Sequence, residues 1–94
     1  MEFAEIVTSS EGTEERRVRR AVRVESVTNE HGIVRPTRLW LDGREWRIDR
    51  VIEVSPSTPG PEGPGRVYTI MVGRRMTWLW HEPPMWYVHK RVDA

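Results

Sequence analysis

The side chains that could carry out chemistry are few in this 94-residue sequence, and they lie far apart. The absence of cysteine excludes a disulfide framework, a thiolate metal site and a thiol nucleophile. The histidines, His31, His81 and His89, have none of the spacings that metal ligation uses. No serine stands in the setting of a nucleophile, and no glycine-rich loop opens a helix to hold phosphate. We therefore expect no enzyme, no catalytic residue, no cofactor and no metal.

Aromatic side chains are the other set that could act, by binding rather than by catalysis. Trp78, Trp80, Trp86 and Tyr87 fall within ten residues of one another, in the last part of the chain. So many rings either build a small β core or leave an apolar surface, and for any single ring the core is the more common role. Because a domain of this size buries only about 60–65% of its unfolded surface, we expect one or two rings to stay exposed as a partner-binding patch.

Charge is segregated along the chain, although the formal net charge is only +1. Residues 1–15 contain five glutamates and no base, whereas residues 16–24 contain five arginines and no acid. The two blocks can simply neutralise each other, or the arginines can bind phosphate groups. The near-zero net charge argues against the second reading, because small nucleic-acid-binding domains are usually strongly basic.

The dipeptide Asp42-Gly43 lies between two runs of alternating polar and apolar residues. This pattern is typical of a two-residue type I′ β-hairpin. The predicted register pairs Leu41 with Arg44, Trp40 with Glu45, Leu39 with Trp46 and Arg38 with Arg47. Trp40 then lies on the polar face, either packed against a neighbouring arginine or as a stacking platform for a nucleobase, with Arg38 and Arg47 placed for phosphates.

The remaining sequence also indicates strands. Alternation predicts one from about Val18, with a helix beginning at Thr13 as the alternative, and a turn follows at residues 29–32. Pro36 is typical of an edge strand or a bulge. Residues 55–65 hold four prolines and three glycines, which predicts a mobile loop. Further strands are expected over 66–72, 76–80 and 85–91.

These elements predict a single all-β domain over residues 1–94, an antiparallel meander curled into an SH3-like or half-open small barrel. For the acidic segment 1–15 the sequence leaves open whether it is flexible. The apolar positions of the alternating runs predict the core: Val22, Val24, Leu39, Leu41, Trp46, Ile48, Tyr68, Ile70, Val72, Leu79, Trp86 and Val88.

Two stretches, residues 22–54 and 66–93, contain a spaced set of aromatic, aliphatic and basic residues: Pro36, Trp40, Gly43, Arg44, Trp46, Ile48, Val51, Trp86, Val88, Lys90 and Arg91. In these residues the sequence resembles a small family of bacterial all-β proteins of unknown function that is common in actinobacteria. The sequence departs from the family at its N-terminal extension, its Pro/Gly segment and the 81–84 turn. Some relatives are associated with proteins that resemble Y-family DNA polymerases of inducible mutagenesis. The resemblance implies an accessory role in DNA transactions and no catalytic residue.

Taken together, these features predict a non-catalytic interaction module that binds a protein partner, or a second copy of itself, through exposed aromatics or a sheet edge. The alternative is an accessory domain that binds single-stranded nucleic acid. The candidate binding residues are Arg16, Arg19, Arg20, Arg23, Arg38, Trp40, Arg47, Arg74, Arg75, Trp78 and Trp80. The first residues lack a basic and then apolar leader, and no apolar run approaches the ~20 residues of a membrane span. We therefore expect a cytoplasmic protein with no membrane partner.

Overall fold

Seven β-strands in one antiparallel sheet make up the fold in a computed structural model, which describes residues 17–91. The predicted acidic segment 1–15 and Arg16 lie outside the described residues, and no helix occurs within them. The strand that was expected from about Val18 is confirmed. The strands are β1 (Arg17–Thr28), β2 (Val34–Leu41), β3 (Arg44–Arg47), β4 (Arg50–Gly60), β5 (Gly63–Val72), β6 (Arg75–Glu82) and β7 (Met85–Arg91).

The order of the strands explains how one sheet encloses a core. The order is β3-β2-β1-β7-β6-β5-β4, so β3 and β4 lie at opposite ends of the sheet although only Ile48 and Asp49 join them. The sheet must therefore curl until its ends meet. At that corner the Ile48 N–H donates to the Thr37 carbonyl, and the Asp49 N–H donates to the Met71 carbonyl. The predicted all-β antiparallel meander is confirmed, and it does not close into a barrel.

The hairpin between β2 and β3 has the predicted turn and the predicted register. Asp42 and Gly43 adopt positive φ values of 52° and 77°, as a type I′ turn requires. All four predicted pairs between β2 and β3 occur. Pro36 lies beside a β-bulge, because the register between β1 and β2 shifts between Glu25 and Ser26. The bulge accommodates a residue that has no N–H for the ladder.

The core occupies the concave side of the curled sheet, and all twelve predicted core residues contribute to it. Ten of them are buried, and Val24 and Trp46 pack against these as partly buried side chains. Thr77 and Pro36, which were not predicted, are also fully buried. The Tyr68 hydroxyl donates to the Val34 carbonyl at 3.2 Å and so links β5 to β2 across the core. Burial raises the pKa of Tyr68, and Arg66 offsets part of this effect.

The prediction of a loop over residues 55–65 is wrong, because β4 extends to Gly60 and β5 begins at Gly63. Pro56 and Pro59 fit because β4 is an edge strand, where a missing N–H need not break a ladder. Pro61 lies in the turn, and Pro64 lies on β5 before its pairing with β6 begins at Arg66. The glycines fit because backbones approach closely there. A Cβ atom at Gly65 would overlap the Thr58 carbonyl, and one at Gly60 would overlap the Pro83 carbonyl. The same composition that indicated a loop therefore builds a tightly paired hairpin.

Gly65→Ala is expected to lower the free energy of unfolding by about 3 kcal/mol, since the new methyl group meets backbone that cannot rotate away. Urea denaturation monitored by tryptophan fluorescence measures the change. Gly32→Ala is the matched control: open space surrounds that position, and its φ of 77° leaves only a backbone cost of about 1–2 kcal/mol. If both variants lost the same free energy of unfolding, the close approach of Gly65 to the Thr58 carbonyl would be unimportant for stability.

Candidate binding surface on the convex side of the sheet

The cross-strand pairing places several predicted binding residues on the convex side, opposite the core. Trp80 pairs with Tyr87 on one side and with Val67 on the other, and Trp78 pairs with Thr69. Trp40 lies between Arg23 and Glu45. We call this surface the outer face. Its defining residues are Arg19, Arg23, Glu25, Arg38, Trp40, Glu45, Arg47, Met71, Met76, Trp78, Trp80, Glu82, Met85, Tyr87 and His89. It crosses the sheet from β3 to β5.

The rings of the outer face are ordered by contacts with one another and with arginine. The Trp80 and His89 rings stack, with centroids 3.9 Å apart and planes 8° apart. The Arg19 guanidinium lies 3.6 Å from the centre of the Tyr87 ring. On the neighbouring strands, the Arg23 guanidinium lies 4.7 Å from the centre of the Trp40 ring. These stacked and cation–π contacts hold the side chains in place, so a partner would meet a preformed surface.

Methionines extend the apolar part of the outer face. Met76 is paired with Met71 across β5 and β6, and Met85 begins β7. Met76 is 44% exposed and Met85 is 42% exposed, while Trp40, Trp78, Trp80 and Tyr87 are half-buried. The thioether is flexible and polarizable, which suits it to partner surfaces of different shape. The outer face thus offers rigid rings bordered by adaptable side chains.

Most charge on the outer face is neutralised locally. Arg19 forms a salt bridge with Glu82, and Arg38 forms salt bridges with Glu25 and Glu45 at 3.8 and 3.3 Å. Within residues 17–91, no carboxylate partner accompanies Arg23 or Arg47. The exposed ion pairs contribute little stability. Their main effect is a surface with only a small excess of positive charge.

The structure brings together seven of the eleven predicted binding residues on the outer face: Arg19, Arg23, Arg38, Trp40, Arg47, Trp78 and Trp80. It separates three others from them. Arg20 alternates to the opposite side, where it donates to Asp42 at 2.9 Å. Arg74 and Arg75 lie exposed at the turn between β5 and β6. Arg16 lies outside the described residues.

Sequence reasoning did not include Tyr87 and His89 in the binding surface, although the signal was present. Strand residues alternate between faces, so Tyr87 and His89 must share a face once Trp86 and Val88 are assigned to the core. The hairpin between β6 and β7 then pairs Tyr87 with Trp80. The turn that joins these strands, at Pro83 and Pro84, fixes that register.

His81 lies on the core side of the same hairpin, on the opposite face from His89. Its ring stacks on Trp86, with centroids 3.7 Å apart and planes 6° apart. Burial lowers the pKa of His81 below its usual value, and the positive charge of Arg66 lowers it further. The folded protein therefore favours the neutral imidazole.

The free energy of unfolding is expected to fall as the pH drops from about 7.5 to about 5.5, because the unfolded chain binds a proton at His81 more readily than the folded protein does. The stability that depends on a neutral His81 is fully present above the usual histidine pKa of about 6.5, and it is lost as the pH falls below that value. Urea denaturation at both pH values measures the change. In His81→Asn the free energy of unfolding should depend less steeply on pH. If the variant has the same pH dependence as the wild-type protein, other groups cause it.

Among residues 17–91, the His, Asp and Glu side chains form no group of three or more that could hold a metal ion. The described part of the chain also has no helix long and apolar enough to cross a membrane. Comparisons with protein-family models, with curated proteins and with solved structures find no match. The family resemblance and the DNA-related role that it implies therefore stay predictions.

Proposed function

We propose that this chain is a non-catalytic interaction module that binds a protein partner through the outer face. The observation that carries the proposal is the composition of that face. Tryptophan, tyrosine, methionine and arginine are the residue types that protein–protein interfaces enrich, and lysine is the type that they deplete. All four enriched types lie together on the convex side of the sheet, between β2 and β6.

The charge of the outer face supports a protein partner over nucleic acid. Arg19 and Arg38 are engaged with glutamates of the same face. Binding of a phosphate backbone would have to break these pairs or leave the carboxylates beside phosphates, which costs affinity. A protein partner that presents apolar side chains can cover the rings and leave the ion pairs at the rim, where they set specificity.

Trp80 is the expected centre of this interface. It lies in the middle of the face, between Tyr87 and Val67 on the adjacent strands, and stacks on His89. Binding energy usually concentrates in a few central tryptophan, tyrosine and arginine side chains surrounded by contacts that exclude water. The methionines and the exposed ion pairs would provide that surrounding ring. The proposal includes a bacterial cytoplasm, a reducing compartment that suits a domain without disulfides.

Selection of peptides on the folded protein tests the proposal. A phage-displayed library of random dodecapeptides is enriched on the wild-type protein, and the enriched pool is then applied to two variants. We expect retention to fall about tenfold or more on Trp78→Ser/Trp80→Ser. Retention should be unchanged on Arg74→Ala/Arg75→Ala, which alters only the turn between β5 and β6. Far-UV circular dichroism confirms that both variants fold. A pool retained equally by both variants would contradict the proposal.

Binding of single-stranded nucleic acid is the second candidate, and the arrangement of Arg23 over Trp40 favours it, since bases stack on such rings. A titration of tryptophan fluorescence with single-stranded and duplex oligonucleotides at about 50 and 200 mM salt separates the two functions. Saturable quenching that fades with salt would assign the outer face to nucleic acid. The proposed protein-binding function predicts no quenching at the lower salt.

A further inference from the structure

The two ends of the curled sheet leave a wedge-shaped gap where the barrel does not close. Because β3 is only four residues long, it pairs with the second half of β2 and leaves residues 34–36 of β2 without a neighbour on that side. On the other side of the gap, β4 pairs with β5 alone. We call this gap the seam and define it by residues 34–37 of β2 and 50–54 of β4. Its narrow end lies at the hydrogen bond from Ile48 to Thr37.

Two cavities lie along the seam. One, of about 690 Å³, lies at the narrow end and is lined by residues of β1 to β4 and of the β3–β4 connection. Arg35 and Arg50 are among them, and so are the carboxylates Glu25 and Asp49. The other, of about 600 Å³, lies at the wide end, with Val34, Val54 and Tyr68 in its lining. Unpaired strand edges with space beside them are where an extended peptide adds to a sheet.

The two sides of the seam differ in chemistry. Arg35 and Arg50 follow the convex side of the sheet, because they pair with Val27 and Met71, and no described carboxylate forms a salt bridge with either. The concave side carries aliphatic side chains. Val54 pairs with Tyr68 and so points towards the core, yet it is 46% exposed because no neighbouring strand covers it. Ile33, at the wide end, is 63% exposed.

We propose that the seam binds an extended peptide segment of a partner protein in which carboxylate and aliphatic side chains alternate. Side chains of a strand point alternately to the two faces of a sheet. A strand in the seam would therefore direct its aliphatic side chains onto Val54 and its carboxylates towards Arg35 and Arg50. Its backbone would bond to the free edge of β4. This site adjoins the outer face at Arg38 and Arg47, which also line the narrow-end cavity, but it does not depend on the function proposed there.

Hydrogen-bonding geometry favours a peptide over other ligands. The groups along the outer edge of β4 are alternating backbone donors and acceptors, which an extended polypeptide matches in spacing. Less of the β2 edge is free, because the Val34 and Thr37 carbonyls already accept hydrogen bonds and Pro36 has no N–H. The arginines select against a basic segment, because like charges placed side by side are repulsive. An isolated phosphate or sugar would leave the aliphatic side of the seam uncovered.

The probe is an acetylated and amidated heptapeptide of alternating glutamate and valine, titrated into the 94-residue protein. We expect saturable binding by calorimetry, with slower amide exchange within residues 51–54 of β4. Arg50→Glu should weaken binding about tenfold or more. Arg74→Glu makes the same charge change in a turn away from the seam and should leave the affinity unchanged. Trp80→Ala should also leave it unchanged, which separates this site from the outer face.

Three results would overturn the proposal. They are an absence of binding at millimolar peptide, equal binding of a peptide with lysine in place of glutamate, and amide protection confined to other strands. Self-association of the protein that protects the same amides without peptide would assign the seam to a second copy of this chain instead.

Discussion

Replacing Trp80 by alanine is expected to weaken the binding of peptides selected on the wild-type protein by about 30-fold, which corresponds to about 2 kcal/mol of lost binding free energy. On the outer face Trp80 stacks on the His89 ring and pairs with Tyr87 across the ladder between β6 and β7. Its removal would take away both its own contact area and the support for the His89 ring. Isothermal titration calorimetry of wild-type and variant proteins with one selected peptide measures the effect.

Met85→Ala serves as the control for this prediction, because Met85 lies on the same face but is 42% exposed at the start of β7. We expect this change to weaken the binding of the same peptide by about threefold or less, as is usual for residues at the rim of an interface. Equal losses for the two variants would mean that binding energy is spread evenly and that Trp80 is not the centre. Amide spectra of both variants confirm that the sheet is intact.

Replacing Leu79 by alanine is expected to lower the free energy of unfolding by about 3 kcal/mol. Leu79 is fully buried on β6 and pairs with Tyr68 across the ladder to β5, so a smaller side chain leaves a cavity that these strands cannot easily close. For a small domain this is a large part of a total stability of about 5–15 kcal/mol. Urea denaturation monitored by circular dichroism gives the change in midpoint and slope.

Met76→Ala is the matched control for Leu79→Ala. Met76 lies on the same strand but on the outer face, and it is 44% exposed. Its truncation should cost less than about 1 kcal/mol, because little apolar area is lost from the interior. If the two variants had equal stability, the assignment of the concave and convex sides of β6 would be wrong.

Local signals in the sequence predict most of this fold. The dipeptide Asp42-Gly43 determines the register of its hairpin, because a two-residue turn pairs Leu39 with Trp46 and places both on the core side. Alternation then assigns the concave and convex sides of each strand, which is why all twelve predicted core residues pack in the core. A slip of one residue would bury charged side chains, so the shifted pairing is much less stable than the observed one.

The segment 55–65 shows where local reasoning fails. Its prolines and glycines are typical of loops, and nothing within the segment itself indicates a strand. Their actual roles depend on distant partners: β4 is an edge strand, and Gly60 lies against the backbone of Pro83. Such long-range contacts cannot be read from a window of ten residues.

The binding surfaces were predictable to different degrees. Once the turns were known, alternation was enough to place Trp40, Trp78 and Trp80 on one face. The seam was not predictable, because it depends on how far the sheet curls and on the shortness of β3. Arg35 and Arg50 are far apart in sequence, and they line one cavity only because the sheet curls.

The most direct test of the central claim is a map of amide chemical shifts in the isotope-labelled 94-residue protein as a selected peptide is added. Binding at the outer face predicts the largest shifts at the backbone and indole N–H groups of Trp40, Trp78 and Trp80, with smaller shifts at Tyr87 and His89. Residues that face the core, such as Leu79, should shift little. Shifts concentrated at the turn around Arg74 and Arg75, or at none of these indoles, would contradict the outer face as the binding surface.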